Sequence, residues 1–163
     1  GKDIPPGATL IFVIEYFETK KSKAEIEGQE FYLAQQATGD WIEHPEGYLY
    51  KWLSEPPTPD APKPDAQQQC LVHYVGTLID GTEFDSSLRR GQPIEMALSR
   101  VIPGWTSCCQ MMTEGSKLKV ILPPNLAYSS ESPTPLIAPF STLIFEIELF
   151  SWKPAPPQDC TIV

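Results

Sequence analysis

Several short stretches of the chain alternate hydrophobic with other side chains, a pattern that predicts β-strands. Residues 47–53, GYLYKWL, form one such stretch, and CLVHYVGTLIDGTEFDSS gives two apolar runs on either side of Asp80 and Gly81. Both residues of an Asp-Gly pair tolerate a positive φ, so we expect a hairpin turn there. Two later stretches, SKLKVILPP and STLIFEIELFSW, predict further strands.

One segment before these strands carries the signals of a helix. Ser22 is followed by Glu25 at capping-box spacing, and Gly39 supplies a stop, so the sequence predicts a helix over residues 23–38. Its apolar stripe is moderate and is interrupted by Gly28. This pattern favours a linking or packing helix over a core helix.

A second, shorter helix is predicted between the strands. VIPGWTSCCQMM places Pro103 near a helix start, and Gly115 marks a stop. The resulting order is strands, one short helix and strands again. That order indicates an α+β domain dominated by an antiparallel sheet.

Charge and cysteine usage narrow the range of partners. The formal net charge of −9 argues against nucleic acid, because phosphate binding depends on clustered Lys and Arg. Many of the 18 prolines lie between residues 56 and 64, which indicates a solvated linker. None of the four cysteines has the spacing of a zinc site, so we expect no structural metal. Burial as small apolar groups is the expected fate of Cys108 and Cys109.

Four motifs carry a resemblance to a known family. VHYVGTLIDGTEFDSS, RVIPGW, LPPNLAY and APFSTLIFEIELFSW resemble, in order and spacing, the successive motifs of the FKBP family of prolyl isomerases. GQEFYLAQQ and EGYLYKWL, further upstream, are similar to the helix and first strand of its Mip-like branch. The resemblance implies an antiparallel sheet of about five strands wrapped around one short helix. It also implies a linker helix in residues 21–43, an isomerase domain in residues 44–152 and a disordered tail in residues 153–163.

The N-terminal segment repeats the end of this domain. IPPGATLIFVIEYFE near the start closely matches IAPFSTLIFEIELFS, which begins at Ile137. Residues 1–20 therefore resemble the final strand of a preceding FKBP copy, which predicts a tandem-domain parent. The alternative is an amphipathic arm that mediates self-association through residues 8–18, because an unpaired apolar strand presents open hydrogen-bonding edges.

The resemblance also implies a binding pocket for proline. Trp105 would form its floor, with Asp85 and Tyr128 as polar contacts at the rim and Arg90 as the partner of the Asp85 carboxylate. Ile94 and Met96 stand where compact family members often carry aromatic residues, and we expect them to contribute to substrate binding. The expected walls of the pocket are Tyr74, Phe84, Val101, Ile102, Ile137 and Phe145.

This pocket predicts a peptidyl-prolyl cis-trans isomerase that needs no cofactor and no metal ion. Its expected partners are proline-containing peptides or proteins, with macrolides as possible inhibitors. The loop after Tyr128 carries Ser129 and Ser132 where the family usually has glycines, so we expect a different loop path. This departure leaves open a second interpretation, a non-catalytic module that binds proline-containing segments as a chaperone or adaptor.

Two further interpretations stay open. Taken one at a time, the apolar pocket residues could be ordinary core, and Asp85 with Arg90 an ordinary surface pair. The C-terminal CTIV has the shape of a prenylation box at Cys160, but no polybasic stretch supplies a second membrane signal. The compartment is therefore undecided, with the cytoplasm favoured over a prenyl anchor.

Overall fold

The computed structural model of the chain describes residues 20–154, together with residues 6–9, 11 and 13. Most of the segment predicted as an N-terminal strand, residues 8–18, lies outside the described residues. Cys160, where the sequence has the shape of a prenylation box, lies outside them as well.

The described chain forms one antiparallel sheet with three helices. In chain order the elements are α1 (Lys23–Ala37), β1 (Ile42–Glu43), β2 (Leu49–Trp52), β3 (Gln68–Leu78), β4 (Glu83–Ser86), α2 (Ser87–Arg90), β5 (Ile94–Ala97), α3 (Pro103–Cys109), β6 (Lys117–Leu122) and β7 (Leu143–Pro154). Short 3-10 turns cover Leu98–Arg100 and Pro124–Leu126. The α+β class predicted from the sequence is confirmed.

Within the described residues the sheet has seven strands in the order β1-β2-β6-β7-β3-β4, and β5 also pairs with β3. The long strands β3 and β7 pair over their whole length and form the centre of the sheet. β4 pairs with the end of β3 that contains Gly76, and β5 with the end that contains Cys70. The strands beyond those predicted are β1 and β5, which have only two and four residues.

The termini of α1 follow the local chemistry. The Ser22 hydroxyl accepts a hydrogen bond from the Glu25 backbone N–H at 3.2 Å, and Gly39 adopts a positive φ of 78° just after the helix end. Gly28 is the buried residue of α1, and a Cβ built on it would lie 2.4 Å from the Thr142 hydroxyl oxygen. The helix therefore packs closely against the segment that leads into β7.

The core joins one face of the sheet to α3. Cys108 and Cys109 are fully buried there with Trp105, as predicted for the cysteines, and both are free thiols. The regular helix ends at Cys109, before the predicted stop at Gly115, because the next residues form tighter turns. In these turns the backbone N–H of Met111 donates to the Cys108 carbonyl at 3.1 Å.

Two boundary features complete the fold. β7 continues through Lys153 and Pro154, which pair with the start of β3, so the sheet reaches two residues into the predicted tail. No helix among the described residues is both long enough and apolar enough to cross a membrane.

Candidate functional site

A cavity of about 240 Å³ opens where β3, β4 and β7 meet the start of α3. Pro103 begins α3 with its fixed φ, and this places Trp105 in the first turn, facing the sheet. The residues lining the cavity are Tyr74, Phe84, Asp85, Met96, Arg100, Val101, Ile102, Trp105, Tyr128 and Phe145.

Aromatic rings set at right angles form the inner wall. Trp105, with 4% of its surface exposed, makes edge contacts with Tyr74 at 5.1 Å and Phe145 at 5.3 Å between ring centroids. Phe84 packs against Phe145 in the same way at 5.6 Å. Edge-to-face packing holds large rings in fixed orientations, so the wall is rigid and apolar.

Gly76 makes room for this arrangement. It pairs with Phe145 across the β3–β7 ladder, and a Cβ at this position would lie 2.5 Å from the Phe84 ring. The register of β3 against β4 also shifts between Gly76 and Thr77. The missing side chain therefore lets both phenylalanines approach the strand.

Asp85 is the centre of the polar side of the cavity. The Tyr74 hydroxyl donates a hydrogen bond to one carboxylate oxygen, and the Arg90 guanidinium donates to the other. Arg90 also donates to the Tyr74 hydroxyl oxygen at 2.9 Å, which closes a triangle of three side chains. The three groups therefore hold one another in place at the rim.

The protonation states at the rim follow from these contacts. Partial burial acts to raise the pKa of Asp85, but the hydrogen bonds from Tyr74 and Arg90 and the Arg90 charge outweigh it and lower the pKa. Burial and the hydrogen bond to Asp85 raise the pKa of Tyr74. Asp85 is thus ionised and Tyr74 is protonated at neutral pH.

Tyr128 supplies a further hydroxyl to the lining of the cavity. Burial, followed by the nearby Asp85 charge, raises the pKa of Tyr128, so the phenol stays protonated. Its hydroxyl has no hydrogen-bond partner within the part of the chain that the structure describes, which leaves it available as a donor. The buried indole N–H of Trp105 likewise lacks a partner among the described residues.

The loop that follows Tyr128 is held by its own backbone. Ser129 adopts a φ of 51°, in the left-handed region that glycine favours, and its carbonyl accepts a hydrogen bond from the Phe140 N–H at 2.7 Å. Ser132 caps the loop through its hydroxyl, which donates to the Ile137 carbonyl at 2.7 Å. Serine therefore occupies a backbone conformation typical of the glycine it replaces.

The structure brings most of the predicted pocket residues together, but not all of them. Ile137 is 2% exposed and belongs to the core cluster without lining the cavity. Ile94 lies in β5 opposite Val72, and Arg90 reaches the cavity only through Asp85 and Tyr74.

Arg100 lines the cavity although the sequence analysis missed it. Its position directly before Val101 and Ile102, two predicted wall residues, was the available signal.

Both histidines make contacts with neighbouring side chains. His73 lies in β3 with its Nδ1 2.9 Å from the buried Ser87 hydroxyl, and His44 stacks on Tyr48. Among the residues that the structure describes, no three His, Cys, Asp or Glu side chains converge as a ligand set.

Known proteins are similar to this chain in sequence and in fold. The sequence profile of a family described as FKBP-type peptidyl-prolyl cis-trans isomerase matches residues 61–150. The FKBP-type peptidyl-prolyl cis-trans isomerase FkpA of Escherichia coli is 47% identical over 96 residues, which cover 59% of this chain and 35% of that protein. The outer membrane protein MIP of Legionella longbeachae is 38% identical over 139 residues, covering 85% of this chain and 58% of that protein.

One solved structure superposes on this chain over nearly the whole length of the solved protein. The 1.6 Å crystal structure of a peptidyl-prolyl cis-trans isomerase from Pseudomonas syringae superposes with a TM-score of 0.72 at 38% identity, covering 83% of this chain and 98% of that one. By contrast, the chain spans only 35% of FkpA and 58% of MIP. The chain belongs to the family of FKBP-type peptidyl-prolyl cis-trans isomerases, of the Mip and FkpA kind.

Proposed function

We propose that this chain catalyses cis–trans rotation about the peptide bond that precedes proline in protein and peptide substrates. The observation that carries the proposal is the aromatic cavity built on Trp105, lined also by Asp85 and the Tyr128 phenol. A largely apolar cavity with a few polar groups suits a proline ring whose flanking backbone makes hydrogen bonds.

The chemical task requires no nucleophile. Rotation about the amide bond crosses a barrier of about 18–20 kcal/mol, although the two planar forms before proline differ by only about 0.5–1 kcal/mol. The twisted amide loses its resonance, and its carbonyl oxygen becomes less polar. A cavity that excludes water and fits the twisted amide better than either planar form therefore lowers the barrier.

The lining residues divide this task between them. The proline ring packs against the Trp105 indole, between the Tyr74 and Phe145 rings. The Tyr128 hydroxyl donates a hydrogen bond to the substrate backbone and fixes the chain on one side of the twisting bond. Asp85 acts as a fixed dipole and not as a base, because Tyr74 and Arg90 already occupy both of its oxygens.

The same cavity supports two related proposals. A macrolide carrying a proline-like ring would compete with substrate for the floor at Trp105, so we expect such compounds to inhibit. A non-catalytic module for proline-containing segments is less well supported, because FkpA is named as an isomerase and Trp105, Asp85, Tyr128 and Phe145 all line the cavity.

Turnover on short peptides tests the proposal. NMR exchange spectroscopy measures the rate of X-Pro interconversion, which takes tens to hundreds of seconds without a catalyst. We expect the wild-type protein to accelerate exchange and Trp105→Leu to reduce kcat/KM by about tenfold or more, the equivalent of about 1.4 kcal/mol of lost transition-state stabilisation.

The control separates loss of the site from loss of stability. Ile121→Ala truncates a fully buried side chain in β6 that does not line the cavity and whose partner across β7 is Ile144 and not Phe145. Both variants should lower the melting temperature, but Ile121→Ala should retain turnover while folded. A folded wild-type protein that binds proline peptides without accelerating exchange would establish the non-catalytic module instead.

A further inference from the structure

Arg100 lines the cavity, and Arg90 contacts the lining residues Asp85 and Tyr74, but only Arg90 is paired with a carboxylate among the described residues. Arg90 forms an ion pair with Asp85 and donates a hydrogen bond to the Tyr74 hydroxyl. Its guanidinium carbon also lies 5.6 Å from the centroid of the Tyr74 ring. Arg100 lines the cavity and is exposed, and no carboxylate lies within ion-pair distance of it among the described residues. Glu83, which precedes the cavity residue Phe84, pairs with Arg89, and Glu95, which precedes the cavity residue Met96, pairs with Lys153.

The backbone beneath Arg100 is anchored. Arg100 ends the 3-10 turn Leu98–Arg100, in which Leu98 is fully buried and its carbonyl accepts a 2.7 Å hydrogen bond from the Thr106 hydroxyl of α3. The next residues, Val101 and Ile102, line the cavity. The Arg100 side chain therefore extends from a fixed point in the backbone at the cavity.

We propose that Arg100 is a specificity-determining residue that selects proline segments carrying a carboxylate side chain next to the proline. The inference rests on the proposed isomerase function. Arg presents a planar fork of donors that matches a carboxylate, and its charge stays fixed at all relevant pH values. Asp85 does not repel such a substrate, because Arg90 compensates its charge.

The expected effect is modest because Arg100 is exposed. Solvent-exposed ion pairs contribute about 0.2–1 kcal/mol, so a peptide with Glu beside the proline should be turned over up to about fivefold faster than its Gln counterpart. A Lys counterpart should be slower than Gln. Added salt should reduce these ratios, since exposed charges are screened.

The experiment compares kcat/KM ratios by NMR exchange for Ala-Glu-Pro-Phe against Ala-Gln-Pro-Phe, and for a second pair with Glu or Gln after the proline. Arg100→Gln should bring the Glu-to-Gln ratio to about one, and Arg100→Lys should retain a ratio above one. Lys23→Gln is the control, because it removes one exposed positive charge from α1, none of whose residues lines the cavity, and should leave the ratio unchanged.

The outcomes are distinct. A preference for Glu in either pair that disappears only in Arg100→Gln supports the inference. Equal rates for Glu and Gln in both pairs, or a preference that persists in Arg100→Gln, overturn it while the turnover itself upholds the isomerase. No acceleration of any peptide overturns the isomerase proposal, and this inference with it.

Discussion

Asp85 couples the rim of the site to the stability of the fold. The pKa of Asp85 is lower in the folded state than in the unfolded state, where it is near 3.8. Its contribution to the free energy of unfolding is therefore fully present above the unfolded pKa and is lost as the pH falls through the folded pKa. We expect Asp85→Asn to cost up to about 1 kcal/mol at neutral pH, a modest amount because the side chain is 42% exposed.

Urea unfolding at a series of pH values measures this coupling. The unfolding free energy of the wild type should fall more steeply than that of Asp85→Asn as the pH falls below about 4, so that the two curves converge in acid. Asp60→Asn, at an exposed loop position, is the control for the loss of a carboxylate as such. Parallel curves for Asp85→Asn would contradict the role assigned to the triangle of side chains.

For individual residues, the sequence could identify candidates for the cavity but could not always show whether each one lines it. Trp105 follows Pro103 at a helix start, so both its position and its neighbours could be anticipated. Ile137 could not be separated from a wall residue, because core and pocket both require an apolar side chain. Arg100 was missed because charge alone does not show whether a partner carboxylate is near.

Among the elements, β3 is the one whose local shape decides the size of the cavity. Gly76→Ala would place a methyl group 2.5 Å from the Phe84 ring and 3.0 Å from the Phe145 ring. We expect the Phe84 ring to move into the cavity, with a cost of about 1–3 kcal/mol in stability from overpacking. Turnover should fall by about tenfold, measured by NMR exchange on the folded variant.

Gly81→Ala provides the matched control for this prediction. Gly81 has a φ of 88° in the hairpin turn, and nothing lies within 4 Å of its added Cβ. The substitution therefore costs stability through backbone strain alone, about 1 kcal/mol, without touching the cavity. Equal losses of turnover in the two variants would mean that stability, and not cavity shape, governs the effect of Gly76→Ala.

Element prediction succeeded where local chemistry decides the structure. The Ser22 cap, Gly39 after α1 and the turn at Asp80 and Gly81 each depend on contacts within a few residues. β1 and β5 were missed because two and four residues carry too little periodicity, and both exist through pairing with longer strands.

At the scale of the whole molecule, the stability of helix α1 depends on its contact with the domain that the family profile covers. The profile begins at residue 61, whereas α1 precedes it and packs through Gly28 on Thr142. A helix of 15 residues is marginal in isolation, and the apolar stripe of α1 is weak. Docking on the domain must therefore supply most of its stability.

Gly28→Ala tests this dependence, because the substitution favours the helix by intrinsic propensity but disturbs its contact with Thr142. Alanine favours a helix by about 1 kcal/mol over glycine, yet its Cβ would meet the Thr142 hydroxyl oxygen at 2.4 Å. We expect α1 to move off the sheet, so that its amides exchange hydrogen faster, while turnover stays within about twofold because no cavity residue lies on α1. In the control Glu30→Ala, at an exposed position of the same helix, the α1 amides should exchange hydrogen no faster than in the wild type. Greater protection of α1 in Gly28→Ala would show that propensity, and not the contact with Thr142, determines whether the helix forms.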